Sequence, residues 1–156
     1  MNPKMKVRYK VDLIGYMAEC DANYLRLMKL FPDMANGGER RIGLRHDGEH
    51  VLRLIPREQT AYTTLLELSQ GARDGGRDGW FKLPILMLRL YHDARVAEVL
   101  SWEGVRQIRP RYDYPNRQMY HQDEKAQWNR FLGEWLSHCL KYGYHLEPLF
   151  GETPYG

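Results

Sequence analysis

The chain has 156 residues, enough for one ordinary domain with a real core. Apolar residues make up 43% and charged residues 28%, the balance of a globular chain rather than a disordered one. The formal net charge is only +3, because 20 acids offset 23 Lys and Arg, and this argues against nucleic acid as a partner.

No apolar run approaches the roughly 20 residues that cross a bilayer, so no membrane partner is expected. The start, MNPKMKVRYKVDLIGYM, has basic residues but no long apolar stretch and no small-residue cleavage site, which predicts a cytoplasmic protein. Residues 12–31 read as a helix. Leu13, Tyr16, Met17, Cys20, Tyr24, Leu27, Met28 and Phe31 recur at three- and four-residue spacing, with Asp12 as N-cap and Pro32 beyond the end.

The period then shortens. RRIGLRH and EHVLRLIP flank Asp47-Gly48, the signal of a two-residue hairpin whose turn positions need positive φ. TAYTTLLELS follows, with Tyr62, Thr64, Leu66 and Leu68 alternating to one face. Residues 70–79, QGARDGGRDG, carry four glycines and Arg-Asp pairs, and predict a flexible exposed loop. Leu86, Leu88 and Leu90 then share one face of a strand, and Arg89 and Tyr91 the other. His92-Asp93-Ala94 reads as a turn into a second strand over 95–102, and a short strand is expected over 105–108.

The last element is a helix over 121–142. Trp128, Phe131, Leu132, Trp135, Leu136, Cys139 and Leu140 make an aromatic-rich stripe. Asp123 and Glu124 are placed in its first turn, Lys141 in its last, and Gly143 just past its end. The two cysteines, Cys20 and Cys139, lack CxxC spacing and fall on apolar helix faces, as small hydrophobes. The order of elements predicts an α+β fold: an N-terminal helix, about five antiparallel strands in one curved sheet, and a long C-terminal amphipathic helix. A single domain is expected over 1–156, with its core at about residues 10–146 and a tail at 147–156.

No GxSxG, phosphate-loop or dinucleotide pattern is present, so no catalytic residue, metal site or cofactor is assigned. His92-Asp93 fits either a turn or part of a metal set, with Glu98, Asp113, His121 and Asp123 as companions. Arginines are the better lead: Arg89, Arg106, Arg109, Arg111 and Arg117 offer planar forks that match carboxylate or phosphate oxygens. In RPRYDYPNRQMYHQDEK, residues 109–125, Pro110 and Pro115 stiffen an extended segment. Tyr112 and Tyr114 flank Asp113 there, which suits either a rigid corner or a recognition loop.

LPILMLRLYHDARVAEV, RYDYPN, HQDEK, FLGEWLSHCLKYG and YTTL (residues 62–65) together resemble the YqiB-like family of proteobacterial proteins, a domain of unknown function. The likeness runs from about residue 10 to residue 146. The glycine-rich loop at 70–79 and the tail EPLFGETPYG depart from it. The resemblance implies a small soluble cytoplasmic bacterial protein and brings no activity, cofactor or catalytic residue. The expectation is therefore a non-catalytic binding or regulatory domain for an anionic small molecule or a protein partner. Its candidate ligand-binding residues are Arg89, Tyr91, His92, Asp93, Arg111, Tyr112, Asp113 and Tyr114. The alternatives are an enzyme acting on a phosphorylated or nucleotide substrate through His92, Asp93, Asp113 and His121, and a sheet that stacks nucleic-acid bases.

Overall fold

The computed structural model describes residues 7–8, 12–44, 50–72, 85–103, 112–113 and 117–145. In chain order the elements are β1 (Val7–Arg8), α1 (Leu13–Leu30), a 3-10 turn (Met34–Asn36), β2 (Arg40–Gly43), β3 (His50–Gln59), β4 (Thr63–Ala72), β5 (Ile85–Tyr91), β6 (Val96–Glu103), β7 (Tyr112–Asp113), α2 (Arg117–Tyr142) and β8 (Tyr144–His145). The fold is α+β: five antiparallel strands, β2 to β6, lie between the two helices in the chain and form one open sheet, to which β8 adds a short edge. The sheet order is β6-β5-β4-β3-β2-β8, the last strand being a two-residue edge on β2. β1 and β7 form a separate parallel pair, Val7 opposite Tyr112 and Arg8 opposite Asp113.

Asp12 caps α1 as expected, its Oδ1 accepting the Gly15 N–H at 2.9 Å. The apolar stripe of α1 packs only over its second part. Cys20, Tyr24, Leu27 and Phe31 are buried, whereas Leu13 is 66% and Met17 47% exposed. Gly37 and Gly38 take φ of 77° and 83° on the way to β2, a backbone that side chains rarely adopt.

The strands flanking Asp47-Gly48 pair antiparallel, with Arg40 opposite Leu54 and Gly43 opposite Val51; the turn itself lies outside the described residues. β3 continues past Pro56 to Gln59. The proline sits beyond Leu54, where pairing with β2 has ended, and a register shift follows it on the β4 side. β4 runs to Ala72, so Gln70 and Gly71 belong to a strand rather than to the loop expected from residue 70. Continued pairing with Val51 and Leu52 overrides the local glycine signal. Tyr62 is exposed ahead of β4 and does not share the face of Thr64, Leu66 and Leu68.

Leu52, Leu54, Leu66, Leu68, Leu86, Leu88, Leu90, Ala97 and Val99 have no exposed surface, and they meet Tyr24, Leu27, Trp128, Leu132 and Leu136 of the helices. One face of the sheet is thus the floor of the core. His92–Arg95 forms the expected turn, with Arg95 at φ 58° and its N–H bound to the Tyr91 carbonyl at 2.7 Å, so β6 begins at Val96. A register shift opposite Met87 and Leu88 brings Trp102 across from Leu86, and its ring stacks on Trp128 at 5.5 Å. The strand expected over 105–108 lies outside the described residues.

α2 starts at Arg117, four residues ahead of the expectation. Asp123 and Glu124 therefore fall in its second turn and do not serve the helix dipole; both are buried, at 3% and 6% exposure. The apolar stripe marks only the packed stretch of a helix, so periodicity places the start too late. Gly143 follows the helix end, its N–H reaching the Cys139 carbonyl at 2.7 Å. The helices meet through polar groups as well, Asn23 Nδ2 donating to the Asn129 carbonyl at 2.9 Å. Among the described residues no helix is long and apolar enough to cross a membrane.

Candidate functional site

Strand alternation sends every second residue of β5 away from the core. Ile85, Met87, Arg89 and Tyr91 are half-buried on that outer face. The register sets Arg89 between Leu65 of β4 and Glu98 of β6, and Tyr91 between Thr63 and Val96. The Tyr91 hydroxyl donates to Glu98 Oε1 at 2.9 Å, and Arg89, two residues back on the same face, lies close enough to oppose the rise of the Tyr91 pKa. Both helices lie against the edge strand β6, which lets them reach the same carboxylate. Glu98 Oε2 receives the Tyr16 hydroxyl of α1 at 3.2 Å and Lys125 Nζ of α2 at 3.0 Å. The result is a polar row, Arg89–Tyr91–Glu98–Tyr16/Lys125, along the margin of the outer face.

The protonation states in this row are settled by its contacts. Burial alone would raise the Glu98 pKa, but the hydrogen bonds from Lys125, Tyr91 and Tyr16 and the Lys125 charge outweigh it and hold the carboxyl below its ordinary value. Burial first, then the neighbouring Cys20 and Glu98, push the Tyr16 hydroxyl well above its ordinary value. Tyr91 is raised by burial and by Glu98. Burial also pushes the adjacent Cys20 thiol up to about 11. These shifts favour a carboxylate at Glu98, neutral phenols at Tyr16 and Tyr91 and a neutral thiol at Cys20.

His92 takes the opposite course. Its Nδ1 lies 2.9 Å from the Tyr24 hydroxyl and its Nε2 2.8 Å from Thr64 Oγ1, so both ring nitrogens are engaged. Tyr24 meets the imidazole edge-on at 5.8 Å between ring centres, and the Arg95 guanidinium lies 5.2 Å from the Tyr24 ring centre. This contact set pins the β5–β6 turn to α1 and β4. Asp93 is exposed, and its Oδ1 accepts the Ala94 N–H at 2.9 Å, the turn role.

The structure thus brings Arg89 and Tyr91 together, turns His92 to the helix-covered side and leaves Asp93 at the turn. Tyr112 and Asp113 lie in β7, paired with β1. Arg111 and Tyr114 lie outside the described residues, as do Arg106 and Arg109. Of the proposed metal companions, Glu98 meets Lys125 at 3.0 Å, His121 Nδ1 lies 3.7 Å from Glu124 Oε1, and Asp123 Oδ2 accepts from Gln127 Nε2 at 2.7 Å. Among the described residues no group of three or more His, Cys, Asp or Glu could hold a metal ion. Burial raises the Glu124 pKa, His121 opposing and Asp123 adding to the rise.

Sequence reasoning missed Tyr16 and Lys125 as members of the row, and Tyr24 and Thr64 as the partners of His92. Tyr16 and Tyr24 looked like ordinary members of an apolar stripe, and nothing local reveals which strand or turn a helical phenol will meet.

An α+β protein with a helix-covered core face and a polar row along its outer face is the class that fold and geometry define. Residues 26–145 match the model of the family described as "Protein of unknown function (DUF1249)", and the chain belongs to that family. It is 36% identical over 143 residues to a protein named "Uncharacterized protein YqiB" from Escherichia coli strain K12, covering 92% of this chain and 99% of the relative. The same figures hold for the protein of that name from Escherichia coli O157:H7. No solved structure matches.

Proposed function

We propose that this chain works as one domain, in the cytoplasm, as a non-catalytic binding or regulatory protein that recognises an anionic group at Arg89 and Tyr91. The carrying observation is the state of Arg89. Arg57 on the same sheet grips Glu67 with contacts of 3.1 and 3.2 Å, and Arg53 is paired with Glu39. Arg89 stands in mid-sheet beside Glu98, yet among the described residues it has no ion-pair partner, because Glu98 is taken by Lys125, Tyr91 and Tyr16. A half-buried guanidinium bordered by Leu65 and Met87 is suited to bidentate capture of a carboxylate or phosphate.

Thermal unfolding of the full chain at low salt, with organic acids, inorganic phosphate and phosphorylated metabolites, tests this. An anion at 100 times its Kd stabilises the fold by about 2.7 kcal/mol. The upward shift should vanish in Arg89→Gln. A shift that survives the substitution removes Arg89 from the site.

A further inference from the structure

We infer that the tip of α1 docks on the surface of a bilayer that contains anionic lipids, Leu13, Ile14 and Met17 entering it, drawn there by the basic residues that precede the helix. This contact is separate from the reading of Arg89 as an anion-binding group.

From Leu13 to Ala18 the helix reads Leu-Ile-Gly-Tyr-Met-Ala, without one charged side chain. A core would normally claim such a turn, yet it stands in the open. Ile14 is 86% exposed, Leu13 66% and Met17 47%, and Gly15 and Ala18 are exposed beside them. At about 100° of rotation per residue, Leu13, Met17 and Ile14 fall within about 100° of arc and form one patch. Tyr16 ties this end of the helix to β6 through Glu98, so the tip is held in place ahead of the packed stretch that starts at Cys20. Single apolar residues scattered on a surface are ordinary; three adjoining ones mark a contact.

Charge selects the occupant. Residues 1–11 hold Lys4, Lys6, Arg8 and Lys10 and no acid, so the rest of the chain has one more acid than base. The whole positive excess of the chain therefore stands in the segment that runs into the apolar tip. A chain reaches at most about 3.6 Å per residue, which ties Lys10 within about 11 Å of Leu13. The acids nearest the tip are engaged: Asp12 accepts the Gly15 N–H, and Glu19 pairs with Arg26. Asp21 is exposed one turn beyond Met17, which confines the apolar contact to the tip. A bilayer surface accepts both features together. Apolar side chains sink to the acyl boundary, while Lys and Arg are attracted by anionic headgroups. A polyanion in solution would take the cations and leave Leu13 and Ile14 in water. No described helix can span a bilayer, but surface docking asks only for an apolar face and nearby cations.

Flotation of the full chain with vesicles at low salt tests this, phosphatidylcholine alone against phosphatidylcholine with about 30% phosphatidylglycerol. The anionic vesicles should bind at least about tenfold more tightly. Leu13→Ser/Ile14→Ser and Lys4→Gln/Lys6→Gln/Lys10→Gln should each remove about tenfold. The first should leave the melting temperature and any phosphate-induced shift through Arg89 unchanged, since both side chains are exposed and lie outside that site. Ile14→Trp should tighten binding, because Trp favours the membrane interface, an outcome that misfolding cannot produce. No binding to either vesicle, or equal binding to both, overturns the proposal. Binding that falls with the lysine variant but ignores Leu13→Ser/Ile14→Ser would be a polyanion contact and overturn insertion. Self-association without lipid that Leu13→Ser/Ile14→Ser abolishes would make the occupant a second copy and overturn the bilayer.

Discussion

The two sides of β5 show how one strand divides its labour. Leu86, Leu88 and Leu90 have no exposed surface and lie under the helices; Ile85, Met87, Arg89 and Tyr91 are half-buried on the other side. The two sides also treat their polar groups differently. On the covered side, at the strand's end, His92 is held by two hydroxyls, a set that costs little to bury because each ring nitrogen has a partner. On the outer margin Glu98 gathers an ammonium and two phenols where water still reaches them. Stability is concentrated on the first side, which leaves the second able to carry charge.

The sharpest way to break this comparison is a pair of truncations one residue apart. Leu88→Ala empties a fully buried position and should cost about 2–5 kcal/mol. Met87→Ala, on the outer side, should cost about 1 kcal/mol or less. Urea unfolding of both variants measures the difference; equal losses would mean that the outer face is covered after all. A smaller effect is expected at the His92 contact. Thr64→Val keeps the shape but removes the Nε2 partner, and should lower stability by about 1 kcal/mol. It should leave any Arg89-dependent anion shift unchanged, since His92 belongs to the covered side.

The smallest effect concerns Glu98. Folding lowers its pKa, so in acid the folded chain holds its proton less readily than the unfolded chain. The stability this confers is complete above the ordinary carboxylate range and is lost as pH falls through the lowered folded value. With Lys125 partly solvated, the pair is worth at most about 1 kcal/mol. Glu98→Gln should therefore change the melting temperature little at neutral pH and flatten its decline in acid. An acid limb identical to that of the parent chain would count against the pairing.

Much of the fold is legible along the chain. Asp12 caps α1, Leu86, Leu88 and Leu90 form an inward face, and His92–Ala94 turns the chain, all from short-range rules of capping, alternation and turn chemistry. The errors share a cause. Gln70 and Gly71 look like loop and are strand, because β3 supplies a neighbour to pair with. Leu13 and Met17 continue the apolar stripe of α1 and are exposed, because periodicity does not say where packing stops. Asp123 and Glu124 look like first-turn acids and are buried in the second turn.

For the site, the sequence by itself determined that Arg89 and Tyr91 share a face and that His92 follows them, since period-two alternation is a property of the backbone. Only the tertiary structure decided that Glu98 would be occupied by Lys125 and Tyr16, leaving Arg89 without an ion pair among the described residues, and that His92 would be held by Tyr24 and Thr64. Those partners come from α1, β4 and α2, up to 82 residues away in the chain, and long-range pairing depends on which elements pack together rather than on any local pattern.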